Sequence, residues 1–125
     1  MALLDFGGKP LILASKSPRR AQLLRLLDLE FVVRDSGVPE DNDAPKEPAE
    51  HVLELSRRKT EAVAEHVGEG YVLGADTIVV LDGEILGKPS DEEDAYRMLR
   101  RLSGRTHRVY TGFTVVEKPG GRTLA

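Results

Sequence analysis

Apolar positions fall in short blocks whose spacing changes along the chain. Leu11-Ile12-Leu13-Ala14 is a continuous apolar run of strand length. Ser17-Pro18 follows as a helix start, with a capping hydroxyl and a proline at the first helical position. Leu23, Leu24, Leu26 and Leu27 then give a helical apolar face that ends near Asp28, and Glu30 to Arg34 reads as a second strand. Residues 35–47 are acidic and carry Gly37, Pro39 and Pro45, which predicts a loop. From Pro48 to about Val67 the apolar positions 52, 55, 62, 63 and 67 fit one helix, stopped by Gly68 and Gly70. Residues 71–75 form a strand that runs straight into Asp76, and Thr77 to Leu81 continues extended. Asp82-Gly83 predicts a tight hairpin turn into Glu84-Ile85-Leu86. Ser90 and Glu93 have capping-box spacing for a helix through Ala95, Met98, Leu99 and Leu102, closed by Gly104. Thr106 to Val116 is β-rich, Pro119-Gly120-Gly121 is a turn, and Arg122-Thr123-Leu124 starts a returning strand. Strands alternating with helices predict an α/β fold.

Composition narrows the classes. Leu, Ile, Val and Phe supply 35 of the 125 residues, too many for a disordered chain and enough for one core. No run approaches the roughly 18 apolar residues of a membrane span, and Asp5, Gly7, Gly8 and Lys9 interrupt any leader-like stretch before Pro10. Absence of cysteine excludes disulfides, thiolate metal sites and cysteine nucleophiles, and is compatible with a cytoplasmic location. The net charge of −3 hides blocks of +3 (1–29), −6 (30–54), zero (55–69), −6 (70–95) and +6 (96–125). Folded together, such blocks either set carboxylates against cations around a metal–phosphate ligand or lie as solvated faces. With 5% aromatic residues and no Trp, a base-stacking nucleic-acid surface is not expected.

Three segments could carry chemistry. In LILASKSPRR (11–20) a strand empties into a helix N-terminus with Ser15, Lys16, Arg19 and Arg20 beside it. That is either an anion-binding turn or an ordinary capped helix. In GADT (74–77) Asp76 follows an apolar strand, where open α/β sheets place ligands. It could bind Mg²⁺ or act as a general base, or it could sit in a bulge or Asx turn. Glu40 is either a second metal carboxylate or a solvated loop acid. Lys59 and Lys88 could meet phosphate as point charges, although each taken singly is expected in solvent. His51, His66 and His107 lack metal-ligand spacing and read as surface or packing residues.

Taken in order, LASKSPRR (13–20), SRRKTEAVA (56–64), GADTIVVLDGEILGKP (74–89) and AYRMLRRLSGRTHRVYTG (95–112) resemble the Maf family of nucleotide pyrophosphatases. The resemblance implies a mixed central sheet flanked by helices, akin to inosine triphosphate pyrophosphatases, with two lobes around a nucleotide cleft. It also implies hydrolysis of a nucleoside triphosphate to monophosphate and pyrophosphate with a divalent cation, Mg²⁺ or Mn²⁺. By the same resemblance Asp76 is the proton acceptor, Glu40 joins it near the metal, and Lys59 and Lys88 contact phosphates. Ser15 and Arg19 line the anion-binding turn, while Arg19 and Thr77 match the branch acting on dTTP and UTP. Family members continue past the last motif. The chain is therefore expected to be a lead-in (1–10) followed by the N-terminal portion of one catalytic domain (11–125). Homodimerisation and a link to septum formation, the latter allowing a non-catalytic nucleotide-binding regulator, are likewise implied. No nucleic-acid or membrane partner is expected.

Overall fold

A computed structural model describes residues 8–15, 17–39, 47–86 and 91–125. In chain order it contains β1 (Leu11–Leu13), α1 (Pro18–Leu26), β2 (Val32–Val33), α2 (Pro48–Ala64), β3 (Gly70–Leu81), β4 (Glu84–Leu86), α3 (Glu92–Leu102), β5 (Arg108–Lys118) and β6 (Thr123–Leu124). The strands make one mixed sheet in the order β2-β1-β3-β5-β6, with β4 also paired to β3. β1 is parallel to β2 and β3, whereas β4 and β5 run antiparallel to β3.

β3 organises the molecule. Along one edge it pairs with β5 from Gly70 opposite Lys118 to Val80 opposite Arg108. Its other edge is shared: β1 covers Tyr71 to Leu73 and β4 covers Val79 to Leu81. Asp76 and Thr77 lie in the interval left open between them. The Asp82-Gly83 turn that returns β4 has both residues at positive φ, 52° and 78°, the type I′ geometry its sequence predicts.

α2 covers one face of the sheet. Every second residue of a strand faces the same side, so Val72, Gly74 and Asp76 share a face with their partners Val116, Thr114 and Gly112. Ile12, Ala14, Val72 and Val116 pack there with Val63 and Ala64 of α2, and Val67 closes the cluster. The helix can sit this low because two strand positions carry no side chain. A Cβ on Gly112 would lie 2.7 Å from the Val52 carbonyl carbon and oxygen, and one on Gly74 would strike Thr60 Oγ1. Ser56, Thr60 and Thr114 are fully buried at this contact yet all bonded. Ser56 Oγ lies 2.7 Å from Thr114 Oγ1, and Thr60 Oγ1 donates to the Ser56 carbonyl at 2.6 Å. Satisfied hydroxyls let a polar seam stay in a core at little cost.

Several expectations are corrected. α2 ends at Ala64, and tight-turn bonds from His66 N–H to Val63 O and from Val67 N–H to Ala64 O carry the chain onward before the glycines. The strand predicted over 30–34 shrinks to Val32–Val33, with Arg34 N–H still reaching Leu13 O. α3 is capped by Asp91, whose carboxylate accepts from Asp94 N–H at 2.7 Å, while Ser90 lies outside the described residues. The apolar faces of α1 and α3 are not buried as their spacing suggests: Leu26 is 79% exposed and Leu99 67%. Among the described residues α3 has no buried residue, and Val109 and Phe113 on β5 are exposed as well.

Ion pairs attach α3 instead. Arg101 donates to Glu84 at 2.7 Å, and Arg105 pairs with Asp82 on the hairpin turn. The acidic 70–95 block and basic 96–125 block thus meet in ion pairs at the surface. The Arg101 guanidinium, by hydrogen bond and then by charge, holds the Glu84 carboxyl below the usual carboxylate range. A lowered folded-state pKa means the pair contributes stability above the ordinary carboxylate pKa and loses it as pH falls through the folded value. Carboxyl-detected NMR titration should therefore give Glu84 a midpoint below that of a free glutamate, and Arg101→Gln should return it to the ordinary value. An unchanged midpoint in the variant would count against the pair.

Candidate active site

A cavity of about 1010 Å³ opens where β1 ends and β3 is uncovered. Ser15, Arg19, Arg20, Lys59, Asp76, Thr77 and Thr111 all line it, as do residues 35–39. The strand-to-helix turn contributes the first three. Ser17 caps α1 by accepting from Arg20 N–H at 3.4 Å, and the buried Ser15 Oγ accepts from Ser17 N–H at 3.1 Å. Two of the turn's backbone donors are thus already engaged by serine oxygens. Its capacity for an anion rests on the Arg19 and Arg20 side chains and the positive end of the helix.

Asp76 is 3% exposed and sits in an unbroken ladder opposite Gly112, so it occupies neither a bulge nor an Asx turn. Lys59 of α2 reaches it: Nζ donates to Asp76 Oδ1 at 3.0 Å. Lys59 is itself buried, contrary to the solvent exposure expected of it singly, because a buried carboxylate needs a compensating charge. The Gly112 and Gly74 contacts set how close α2 lies, and so set the reach of Lys59.

On the opposite face of β3, Thr77 pairs directly across the strands with Thr111 of β5. Their hydroxyls are 3.0 Å apart, and Arg20 Nη2 donates to Thr77 Oγ1 at 2.9 Å. Arg20 is read from the sequence only as a cation beside the candidate anion-binding turn, not as a partner of Thr77. Thr111 has no local signal at all, since only strand register brings it to Thr77. Glu40 and Lys88 lie outside the described residues. Of the histidines, His51 is buried on α2 and the other two are exposed.

The donor set fits a hard divalent cation. Asp76 and Asp35 bring carboxylate oxygens to the cavity, and no cluster of three or more His, Cys, Asp or Glu occurs among the described residues. Mg²⁺ is ordinarily held by one or two carboxylates together with substrate phosphates and water, rather than by an all-protein cage. Among the described residues no helix is long and apolar enough to cross a membrane.

A mixed sheet with a helix laid on one face, and a cavity where cations meet a buried carboxylate, defines an α/β protein suited to polyphosphate ligands. The model of the family described as Maf-like protein matches residues 10–124, and the chain belongs to the Maf family. It is 51% identical over 112 residues to a dTTP/UTP pyrophosphatase of Syntrophus aciditrophicus, covering 90% of this chain and 55% of that protein. It is 49% identical over 116 residues to a dTTP/UTP pyrophosphatase of Geobacillus sp., covering 93% and 62% respectively. The chain therefore spans little more than half the length of these relatives. A solved Mycobacterium abscessus structure described as a nucleoside-triphosphatase and dITP/XTP pyrophosphatase superposes with a TM-score of 0.52 at 18% identity. That match covers 92% of this chain and 68% of the other, and shows the shared fold.

Proposed function

We propose that this protein hydrolyses nucleoside triphosphates, dTTP and UTP foremost and modified pyrimidine nucleotides with them, to the monophosphate and pyrophosphate. The observation that carries this reading is the Lys59–Asp76 pair in the same cavity as Ser15, Arg19 and Arg20. The names of the relatives supply the pyrimidine preference. Asp76 orients a water and takes one of its protons as the water oxygen bonds to the α-phosphorus. The bond from that phosphorus to the bridging oxygen breaks, and pyrophosphate leaves with the bridging electron pair. Lys59 fixes the Asp76 carboxylate and adds positive charge near the phosphates. Arg19 and the α1 N-terminus stabilise the departing pyrophosphate, with Lys88 assigned the same task. Asp76, with Glu40, would hold a divalent cation, Mg²⁺ or Mn²⁺, which when bound lowers the pKa of water and neutralises phosphate charge. Arg19 and Thr77 are assigned to substrate choice. A house-cleaning role in the cytoplasm, acting as a homodimer, completes the proposal.

Pyrophosphate release across a panel of triphosphates tests it, with and without Mg²⁺ or Mn²⁺. Turnover should favour dTTP and UTP and should stop on chelation. Saturable binding of UTP without any turnover would instead favour a non-catalytic regulator, of the kind linked to septum formation.

A further inference from the structure

Gly74 and Gly112 set how far α2 stands from the sheet, but not how the helix is turned about its own axis. Apolar burial is non-directional, whereas a hydrogen bond fixes a direction. Ser56, Lys59 and Thr60 lie at i, i+3 and i+4 on one stripe of α2, and all three are buried. Thr114 of β5, opposite Gly74 and fully buried, meets that stripe. Ser56 Oγ lies 2.9 Å from the Leu53 carbonyl oxygen and 2.7 Å from Thr114 Oγ1. A hydroxyl has one proton and a carbonyl only accepts. Both contacts are hydrogen bonds at once when Ser56 donates to Leu53 and Thr114 donates to Ser56. Thr60 Oγ1, bonded to the Ser56 carbonyl, lies 3.3 Å from the Thr114 carbonyl oxygen as well. β5 thus grips α2 at the turn that carries Lys59.

We propose that Thr114 is a positioning residue: its hydroxyl, bonded to Ser56, fixes the rotation of α2 and so the point at which Lys59 meets Asp76. The inference rests on the pyrophosphatase reading and goes beyond it in naming a residue that acts on the reaction through Lys59. A rotation of α2 by about 20° would carry a side-chain tip about 5–6 Å from the axis through about 2 Å. That is enough to break the 3.0 Å contact of Lys59 Nζ with Asp76 Oδ1. The Lys59 side chain is only 11% exposed, so its packed stem follows the helix rather than swinging to compensate. The same rotation would part Thr114 from Ser56 and strand buried hydroxyl groups, which is what resists it.

Three variants and two measurements test this. Thr114→Val keeps the shape and removes the hydroxyl, Thr114→Ser keeps the hydroxyl, and Ser56→Ala removes the acceptor without touching β5. Ala is the better helix former, so a loss in Ser56→Ala does not come from a weakened helix. Proton–nitrogen NMR of the Lys59 ammonium, assigned by its loss in Lys59→Arg, reads the pair without any substrate. Wild type and Thr114→Ser should show a slowly exchanging ammonium signal, and Thr114→Val and Ser56→Ala should lose it. With UTP, kcat should fall about tenfold in those two variants while KM stays within about threefold, and Thr114→Ser should restore kcat. Circular dichroism confirms that each variant is folded. An ammonium signal unchanged in folded Thr114→Val or Ser56→Ala would overturn the proposal, as would its absence from wild type. So would an unchanged kcat, or a Thr114→Ser as impaired as Thr114→Val. A wild type without turnover would bring down the functional reading, while the NMR signals would still decide whether Thr114 places Lys59.

Discussion

Asp76→Asn is expected to lower pyrophosphate release from UTP by at least about 100-fold, the ordinary worth of a positioned proton acceptor. The amide has the shape of the carboxylate and can still accept from Lys59 Nζ, now at 3.0 Å from Oδ1. It cannot take a proton from water, so kcat should carry the loss and the KM for UTP should move only a few-fold. Lys59 would then face a neutral group in a buried setting, and stability should fall by about 2 kcal/mol. Thermal unfolding measures that term apart from the kinetics. A variant with turnover within about threefold of wild type would remove Asp76 from its assigned role.

Gly112→Ala should be strongly damaging for a single added methyl. Its φ is not positive, so the effect is purely one of space: the new carbon would lie 2.7 Å from the backbone of Val52 and 2.9 Å from Leu53 N. Helix backbone cannot rotate out of the way as a side chain can, and α2 would have to lift off the sheet. A cost of about 3 kcal/mol is expected, at the upper end for overpacking, visible as a lowered denaturation midpoint. Since α2 also carries Lys59, activity at temperatures where the variant stays folded should drop by about tenfold or more. A fully stable and fully active Gly112→Ala would show that the helix–sheet separation does not set the site.

How much of this was legible in the sequence depended on how local each determinant is. The β3–β4 hairpin was readable because Asp82-Gly83 satisfies its own turn, and α2 because positions 52, 55 and 63 repeat at helical spacing on one buried face. The α1 and α3 helices were readable as helices, but their burial was not. An apolar stripe records what a helix could cover, whereas burial depends on a facing surface that lies elsewhere in the chain. The Asp76–Lys59 pairing joins residues on different elements, and its distance is set by how low a helix rides over Gly74 and Gly112. Neither glycine reads locally as a contact point. Thr111 becomes visible only once the β3–β5 register is known. Individually ambiguous residues, such as Lys59 and Asp76, gained meaning from their order along the chain before geometry brought them into one cavity.

The open interval on β3 has a kinetic consequence. Its two ends are set by very different ladders: β4 returns after a two-residue turn, whereas β1 must come back from across α1, β2 and α2 to pair with residues 71–73. The hairpin side can form within microseconds, while the parallel side must first close a loop of more than fifty residues. The cavity thus has no counterpart in any short stretch of nascent chain. It comes into being at the step that joins the first strand to the third, so the complete cavity should arrive with global folding rather than grow gradually before it.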